Sequence, residues 1–128
     1  MHFYKFDGLI TNEGWSVENN NRKVMREKIR MIAKKSNVFN QRLHKKAFFF
    51  VADASEDTAT IGIICREVSE FNKNINSFLN AVEINLENTS LKEVTLDYIR
   101  NMLHFSYRCN YISDDDDILE QFDLHKLD

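Results

Sequence analysis

Four segments of the chain have the hydrophobic pattern of β-strands. Residues 2–10 place side chains alternately on two sides of an extended segment, and residues 82–86 alternate Val, Ile and Leu with Glu and Asn. Ala47–Ala52 and Thr60–Cys65 are short continuous apolar runs joined by a polar stretch rich in turn-forming residues. These two runs predict an antiparallel hairpin whose strands lie inside the sheet or are covered on both faces.

A basic amphipathic helix is predicted to begin near Asn20. Its apolar residues recur at helical spacing, while Lys and Arg occupy most of the remaining surface. The expected N-cap is Ser16 or one of Asn19–Asn21. Polar residues weaken the middle of the segment, so a break near Asn37 is an open alternative. The apolar positions are Met25, Ile29 and Ile32, with Phe39 and Leu43 continuing the same phase.

Three further helices are predicted in the second half of the chain. The most regular helical stripe runs over Val68–Val82 and should pack against the sheet. Ser90 and Glu93 have the spacing of a capping box, which predicts a third helix over Leu91–Phe105. The carboxylates of Asp114–Asp117 suit the N-terminus of a short final helix.

The predicted order β-α-β-β-α-β with trailing helices indicates an α+β fold. This order is typical of the ferredoxin-like, or split βαβ, arrangement, in which two helices cover one face of a four-stranded antiparallel sheet. Residues 1–128 are expected to form a single domain, either free-standing or an accessory domain of a longer chain. Because many unrelated functions use this arrangement, the fold does not select among them.

Composition excludes several functional classes. The 128 residues are 43% hydrophobic and 29% charged, as expected of a globular protein. Cys65 and Cys109 have neither the spacing of a zinc site nor the density of a disulfide scaffold. Three glycines and no proline leave no glycine-rich phosphate loop, so no cofactor is expected. No apolar run resembles a signal peptide or membrane span, which predicts a cytoplasmic protein without a membrane partner.

Charge is distributed unevenly along the chain. Residues 1–50 hold eleven Lys and Arg against four Asp and Glu, whereas residues 51–128 hold six against sixteen. A basic first half can bind an anionic partner, attract the acidic half of its own chain or promote head-to-tail association. The candidate nucleic-acid-binding residues are Arg22, Lys23, Arg26, Arg30, Lys34, Arg42, Lys45 and Lys46.

The aromatic strand offers a second argument for RNA. Lys46–Asp53 partly resembles the RNP1 octamer of RNA-recognition motifs, in which aromatic side chains stack on bases. Phe49 and Asp53 depart from that octamer, and the segment is the second strand rather than the third. Packing of Phe48, Phe49 and Phe50 in the core is therefore the favoured interpretation.

No catalytic or metal-binding constellation is found in the sequence. His2, His44, His104 and His125 share no ligand spacing, and Asp114–Asp117 lacks the alternation and glycine of a calcium loop. The favoured hypothesis is a non-catalytic protein-interaction or self-association module that binds a protein partner or a second copy through the sheet. The C-terminal stretch Ile118–Leu127 is expected to cover that sheet, in cis or between copies. The alternative is an RNA-binding, single-stranded nucleic-acid-binding or metal-independent RNA-processing protein.

Overall fold

The computed structural model describes residues 1–10, 22–55, 58–86 and 90–124. The predicted N-cap of the first helix lies outside this part, as do residues 125–127 of the predicted C-terminal stretch Ile118–Leu127. In chain order the elements are β1 (His2–Ile10), α1 (Arg22–Asn40), a 3-10 turn (Gln41–Leu43), β2 (Ala47–Ser55), β3 (Thr58–Cys65), α2 (Val68–Val82), β4 (Ile84–Leu86), β5 (Lys92–Glu93), α3 (Leu96–Arg108) and α4 (Asp115–Gln121). The domain is therefore α+β.

The strands form one antiparallel sheet in the order β2-β3-β1-β4, with β5 also pairing with β1. The predicted hairpin is confirmed, since β2 and β3 pair along their length with a bulge between Val51 and Asp53. Strand β1 is central and pairs with β3 from His2 to Leu9. Along its other side, β4 pairs with Gly8–Ile10 and β5 with Tyr4 and Lys5.

The first core lies between one face of the sheet and helices α1 and α2. Phe6, Phe49 and Ile61 point to this face and pack with the apolar stripes of both helices. The helix α2 has the predicted bounds, and its predicted stripe is confirmed from Phe71 to Val82, whereas Val68 at its start is exposed. Helix α1 runs unbroken through Asn37, and the buried residues on it and on the turn after it match the predicted phase. The predicted positions that are buried are Ile29, Ile32, Phe39 and Leu43, and Ala33 and Ser36 on α1 are buried as well.

The second core covers the opposite face of the sheet. Phe3, Phe48, Phe50 and Ile64 point to this face, because side chains alternate along each strand. Helices α3 and α4 and the residues after α4 up to Leu124 contribute seven of the buried side chains that pack over them. These are Ile99, Met102, Leu103, Ile118, Leu119, Phe122 and Leu124. Both faces of the sheet therefore carry helices from the same chain.

The capping-box prediction for the third helix is wrong. Ser90 Oγ accepts a hydrogen bond from the Asp7 N–H at 3.2 Å and donates to the Asp7 carbonyl at 3.0 Å. Strand β4 reaches only the last third of β1, so the earlier backbone groups of β1 need other partners. The segment after Ser90 supplies them as β5, and the Val94 N–H donates to the Phe3 carbonyl at 2.9 Å.

Helix α3 consequently starts at Leu96 and is capped by Thr95, whose Oγ1 accepts from the Tyr98 N–H at 3.2 Å. We expect Thr95→Ala to lower the free energy of unfolding by about 1 kcal/mol, because an N-cap acceptor is lost. Glu93→Ala should have almost no effect, since Glu93 is exposed in β5. Urea denaturation of both variants tests this. If only Glu93→Ala lowered the free energy of unfolding, the capping-box interpretation would be correct after all.

The predicted terminal helix is confirmed as α4. Asp114 is its N-cap, and its Oδ1 accepts from the N–H groups of Asp116 at 3.0 Å and Asp117 at 3.4 Å. The acidic run thus satisfies backbone donors at the positive end of the helix.

Among the described residues, no helix has the length and apolar character needed to cross a bilayer.

Candidate interaction surface

Helices α3 and α4 cover the face of the sheet opposite α1 and α2, which we call the outer face. Phe48 and Phe50 stack on each other with ring centroids 5.8 Å apart and are buried in the second core. Bases therefore cannot stack on these two rings, and a second copy of the chain cannot pack on the sheet at this position. The described part of the C-terminal stretch, Ile118–Leu124, covers this face of the sheet within its own chain, which is one of the two arrangements that we expected.

The edge of the sheet at β2 is also blocked. The Asn40 side-chain amide donates to the Phe49 carbonyl at 2.7 Å, and its oxygen accepts from the Phe49 N–H at 2.9 Å. Ser106 Oγ on α3 donates to the Val51 carbonyl at 2.6 Å. These side chains occupy positions where an added strand would bond, so pairing with another chain is disfavoured there.

An apolar groove with a basic rim lies along α1 beside the end of α2. Its volume is about 420 Å³, and seven residues line it: Met31, Lys34, Lys35, Val38, Phe39, Arg42 and Ala81. We call this surface the α1 groove. Met31 is 47% exposed and Val38 is 48% exposed, although both are large apolar side chains. Exposed apolar residues grouped in a concave surface with polar neighbours are typical of binding sites.

The cations of the α1 groove face solvent. Lys34 and Arg42 are exposed, and Lys35 lies 3.9 Å from a carboxylate oxygen of Glu83. That pair is partly exposed and contributes little to stability. In the part of the chain that the structure describes, the acidic half does not form an ion pair with Lys34 or Arg42. The groove therefore presents positive charge around an apolar floor.

The structure divides the predicted nucleic-acid-binding residues among several places. Lys34 and Arg42 line the α1 groove, and Arg26 and Arg30 are exposed on α1 nearer its start. Arg22 and Lys23 lie in the first turn of α1, but their side chains are outside the described part. Lys45 and Lys46 are exposed in and after the turn that follows α1, and Lys45 lines a different cleft.

Among the described residues, several side chains that could take part in catalysis or bind a metal are buried or form structural hydrogen bonds. Burial raises the pKa of the Cys65 thiol to about 11, so this cysteine is protonated and a poor nucleophile at neutral pH. His104 Nδ1 is bonded to the buried carboxylate of Asp115, which links α3 to α4. The carboxylates of Asp114, Asp115 and Asp116 lie close together, but Asp114 caps α4 and Asp115 binds His104.

The apolar part of the α1 groove was not predicted from the sequence. Met31 and Val38 are seven residues apart on the charged side of α1, outside the buried stripe. Two large apolar side chains at this spacing on a polar helical face are a signal that could have been read. The contributions of Phe39 and Ala81 depend on the packing of α2 beside α1, which the pattern does not show.

The comparisons with known proteins do not assign a family. No family model matches this chain, and neither the curated proteins nor the solved structures contain a significant match to it.

Proposed function

We infer that the fold is a ferredoxin-like arrangement extended by two helices. Three observations support this inference: the element order β-α-β-β-α-β, the strand order β2-β3-β1-β4 and the antiparallel pairing of all these neighbours. Helices α1 and α2 share one face, as this arrangement requires. The additional helices α3 and α4 cover the face that the simple arrangement leaves open.

We propose that the protein is a non-catalytic interaction module that binds a protein segment in the α1 groove. The observation that carries this proposal is the exposure of Met31 and Val38 between Lys34, Lys35 and Arg42. Full burial of a Met or Val side chain contributes about 1.5–3 kcal/mol. Met31 and Val38 are each about half exposed and forgo part of that free energy. A partner that covers both recovers part of that energy.

The chemistry of the groove defines the partner. An apolar floor accepts one or two aliphatic or aromatic side chains, which become the anchors of the contact. The basic rim favours Asp or Glu on either side of those anchors and disfavours a basic segment. The partner is therefore a segment with apolar anchors and acidic flanks.

Binding of nucleic acid is the second candidate function, and the exposure of Arg26, Arg30, Lys34 and Arg42 on or beside α1 favours it. Cations on one helix can neutralise phosphates along a strand. The apolar floor argues for a protein, because Met31, Val38 and Ala81 give phosphates no donor and bases no aromatic stacking surface. Phe39 also lines the groove but is 6% exposed.

A peptide selection tests the proposal. The domain is panned against a random displayed peptide library, and recovered peptides are measured by fluorescence anisotropy on the wild type and Val38→Asp. We expect peptides with apolar anchors and acidic flanks, and Val38→Asp should weaken their binding at least about tenfold. The matched control is Val68→Asp, since Val68 is 41% exposed outside the groove. It should change the Kd by less than about twofold.

Four other outcomes are informative. Equal weakening by both variants, or recovery only of peptides insensitive to Val38→Asp, would contradict the groove as the site. A dimer in sedimentation equilibrium that dissociates in Val38→Asp would identify a second copy as its occupant. Salt-sensitive binding of single-stranded RNA, lost on joint reversal of Arg26, Arg30 and Lys34 to Glu but kept in Val38→Asp, would favour nucleic acid.

A further inference from the structure

A second cleft, separate from the α1 groove, has oppositely charged walls. Its volume is about 510 Å³, and it lies between the turn after α1 and the start of α4. His44 and Lys45 form one wall, and Asp114 and Asp117 form the other. Parts of Phe48 and Ile118 line the apolar floor, although most of each side chain is buried. We call this feature the charged cleft.

The two walls are held at a set separation by Arg66. Its Nε donates to the Lys45 carbonyl at 3.0 Å, and its Nη2 donates to the Gln121 carbonyl on α4 at 2.7 Å. The guanidinium lies over the Phe122 ring, 5.0 Å from its centroid. Asn37 adds a second link by donating to the Tyr111 carbonyl at 3.1 Å. The cleft is therefore formed before any ligand enters, which lowers the entropic cost of binding.

The basic wall has an unusual backbone. His44 and Lys45 both have positive φ, 50° and 62°, and the Lys46 N–H closes the turn on the Leu43 carbonyl at 3.0 Å. Turns with two positive φ values strongly prefer Asn followed by Gly. Here the turn displays an imidazole and an ammonium group at the mouth of a cleft instead. Strain of this kind concentrates at functional sites.

The charges across the cleft are not joined to each other. Within the described ranges there is no ion pair between His44 or Lys45 and the two carboxylates. Asp114 uses Oδ1 to cap α4, and Asp117 Oδ2 accepts from Gln121 Nε2 at 3.3 Å. The second oxygen of each carboxylate makes no hydrogen bond to another described residue. Each wall therefore keeps polar atoms that a molecule in the cleft can contact.

We propose that the charged cleft binds a small zwitterion with an apolar body. The ligand's carboxylate lies against Lys45 and His44, its ammonium group lies against Asp114 and Asp117, and its apolar body contacts Phe48 and Ile118. A ligand with one charge satisfies one wall and is repelled by the other. Free amino acids and short peptides share this chemistry, and the volume is in the range of small-molecule sites.

The test is an NMR amide chemical-shift titration of the full 128-residue chain with L-leucine and with L-leucyl-L-leucine. We expect at least one of them to cause saturable shifts around the charged cleft, and the better one identifies the length of the ligand. Its N-acetyl and amide derivatives, which each lack one charge, should bind about fivefold more weakly.

Two pairs of neighbouring residues supply matched controls. Lys45→Gln and Asp117→Asn should each weaken binding about fivefold, because each removes one charge from the cleft. Lys46→Gln and Asp116→Asn make the same changes at adjacent exposed positions that do not line the cleft, and they should leave binding unchanged. The proposal is overturned if neither free zwitterion causes saturable shifts, if the blocked derivatives bind equally well, or if the control variants weaken binding as much.

Discussion

Phe78→Ala is expected to lower the free energy of unfolding by about 3–5 kcal/mol. Phe78 is fully buried, and its ring stacks on Phe49 with centroids 4.6 Å apart. It also forms a T-shaped pair with Phe39, with centroids 5.5 Å apart. Removing the ring leaves a cavity between α1, α2 and the sheet that the rigid surroundings refill only in part. The loss is a large share of the 5–15 kcal/mol that stabilises a typical domain.

Urea denaturation measures this loss as a fall in the transition midpoint at constant m-value. Phe105→Ala is the matched control, because Phe105 lies on α3 and is 42% exposed. It should cost much less, since a half-exposed ring leaves no closed cavity when it is removed. A larger loss for Phe105→Ala than for Phe78→Ala would overturn the assignment of the two helical faces.

Gly62→Ala is expected to destabilise the domain by about 1–3 kcal/mol. Gly62 lies opposite Phe50 in the pairing of β2 with β3. A Cβ at this position would come within 2.3 Å of Phe50 Cζ and 2.7 Å of Cε1. The ring cannot move away easily, because it is fully buried in the second core.

A double-mutant cycle separates this clash from a general intolerance of alanine in β3. In a Phe50→Ala background there is no ring to displace, so Gly62→Ala should have little further effect. The coupling free energy between the two substitutions should reach about 1–3 kcal/mol, measured by urea denaturation of the four proteins. An equal cost of Gly62→Ala in both backgrounds would contradict the steric explanation.

The regular elements with strong periodicity were predictable from the sequence. The stripe of α2 repeats over fifteen residues, and only a helix places Phe71, Phe78 and Val82 on one side. The apolar runs of β2 and β3 predicted strands covered on both faces. Both strands are covered in this way even though β2 lies at the edge of the sheet.

The start of the third helix could not be predicted in the same way. Ser90 and Glu93 have the spacing of a capping box. Thr95, five residues after Ser90, is also a residue type that favours the N-cap position. The choice between them depended on the backbone of β1, which β4 pairs with only over Gly8–Ile10. Pairing with a distant strand outweighed the capping box because it satisfies several backbone groups at once.

The candidate binding surfaces were partly visible in the sequence. The Lys and Arg residues in the sequence indicated the first helix as a binding element. The structure places Lys34 and Arg42 on the rim of the α1 groove and Lys45 in the charged cleft. The apolar floor of the groove and the acidic wall opposite Lys45 were not predicted. Both combine segments that are far apart in the chain, such as α1 with α2 and the turn after α1 with α4.

By itself, the sequence determined most of the helices and strands, although not β5 or the start of α3, and it determined the buried sides of α1 and α2. Local periodicity carries that information, because the backbone geometry of each element sets the spacing of the residues that share a face. Only the tertiary structure decided that α3 and α4 cover the outer face, that Asn40 and Ser106 occupy bonding positions at the β2 edge, and that the two candidate binding surfaces lie near the end of α1. These features arise from long-range packing, in which many partners satisfy the same apolar pattern and only the folded geometry selects one.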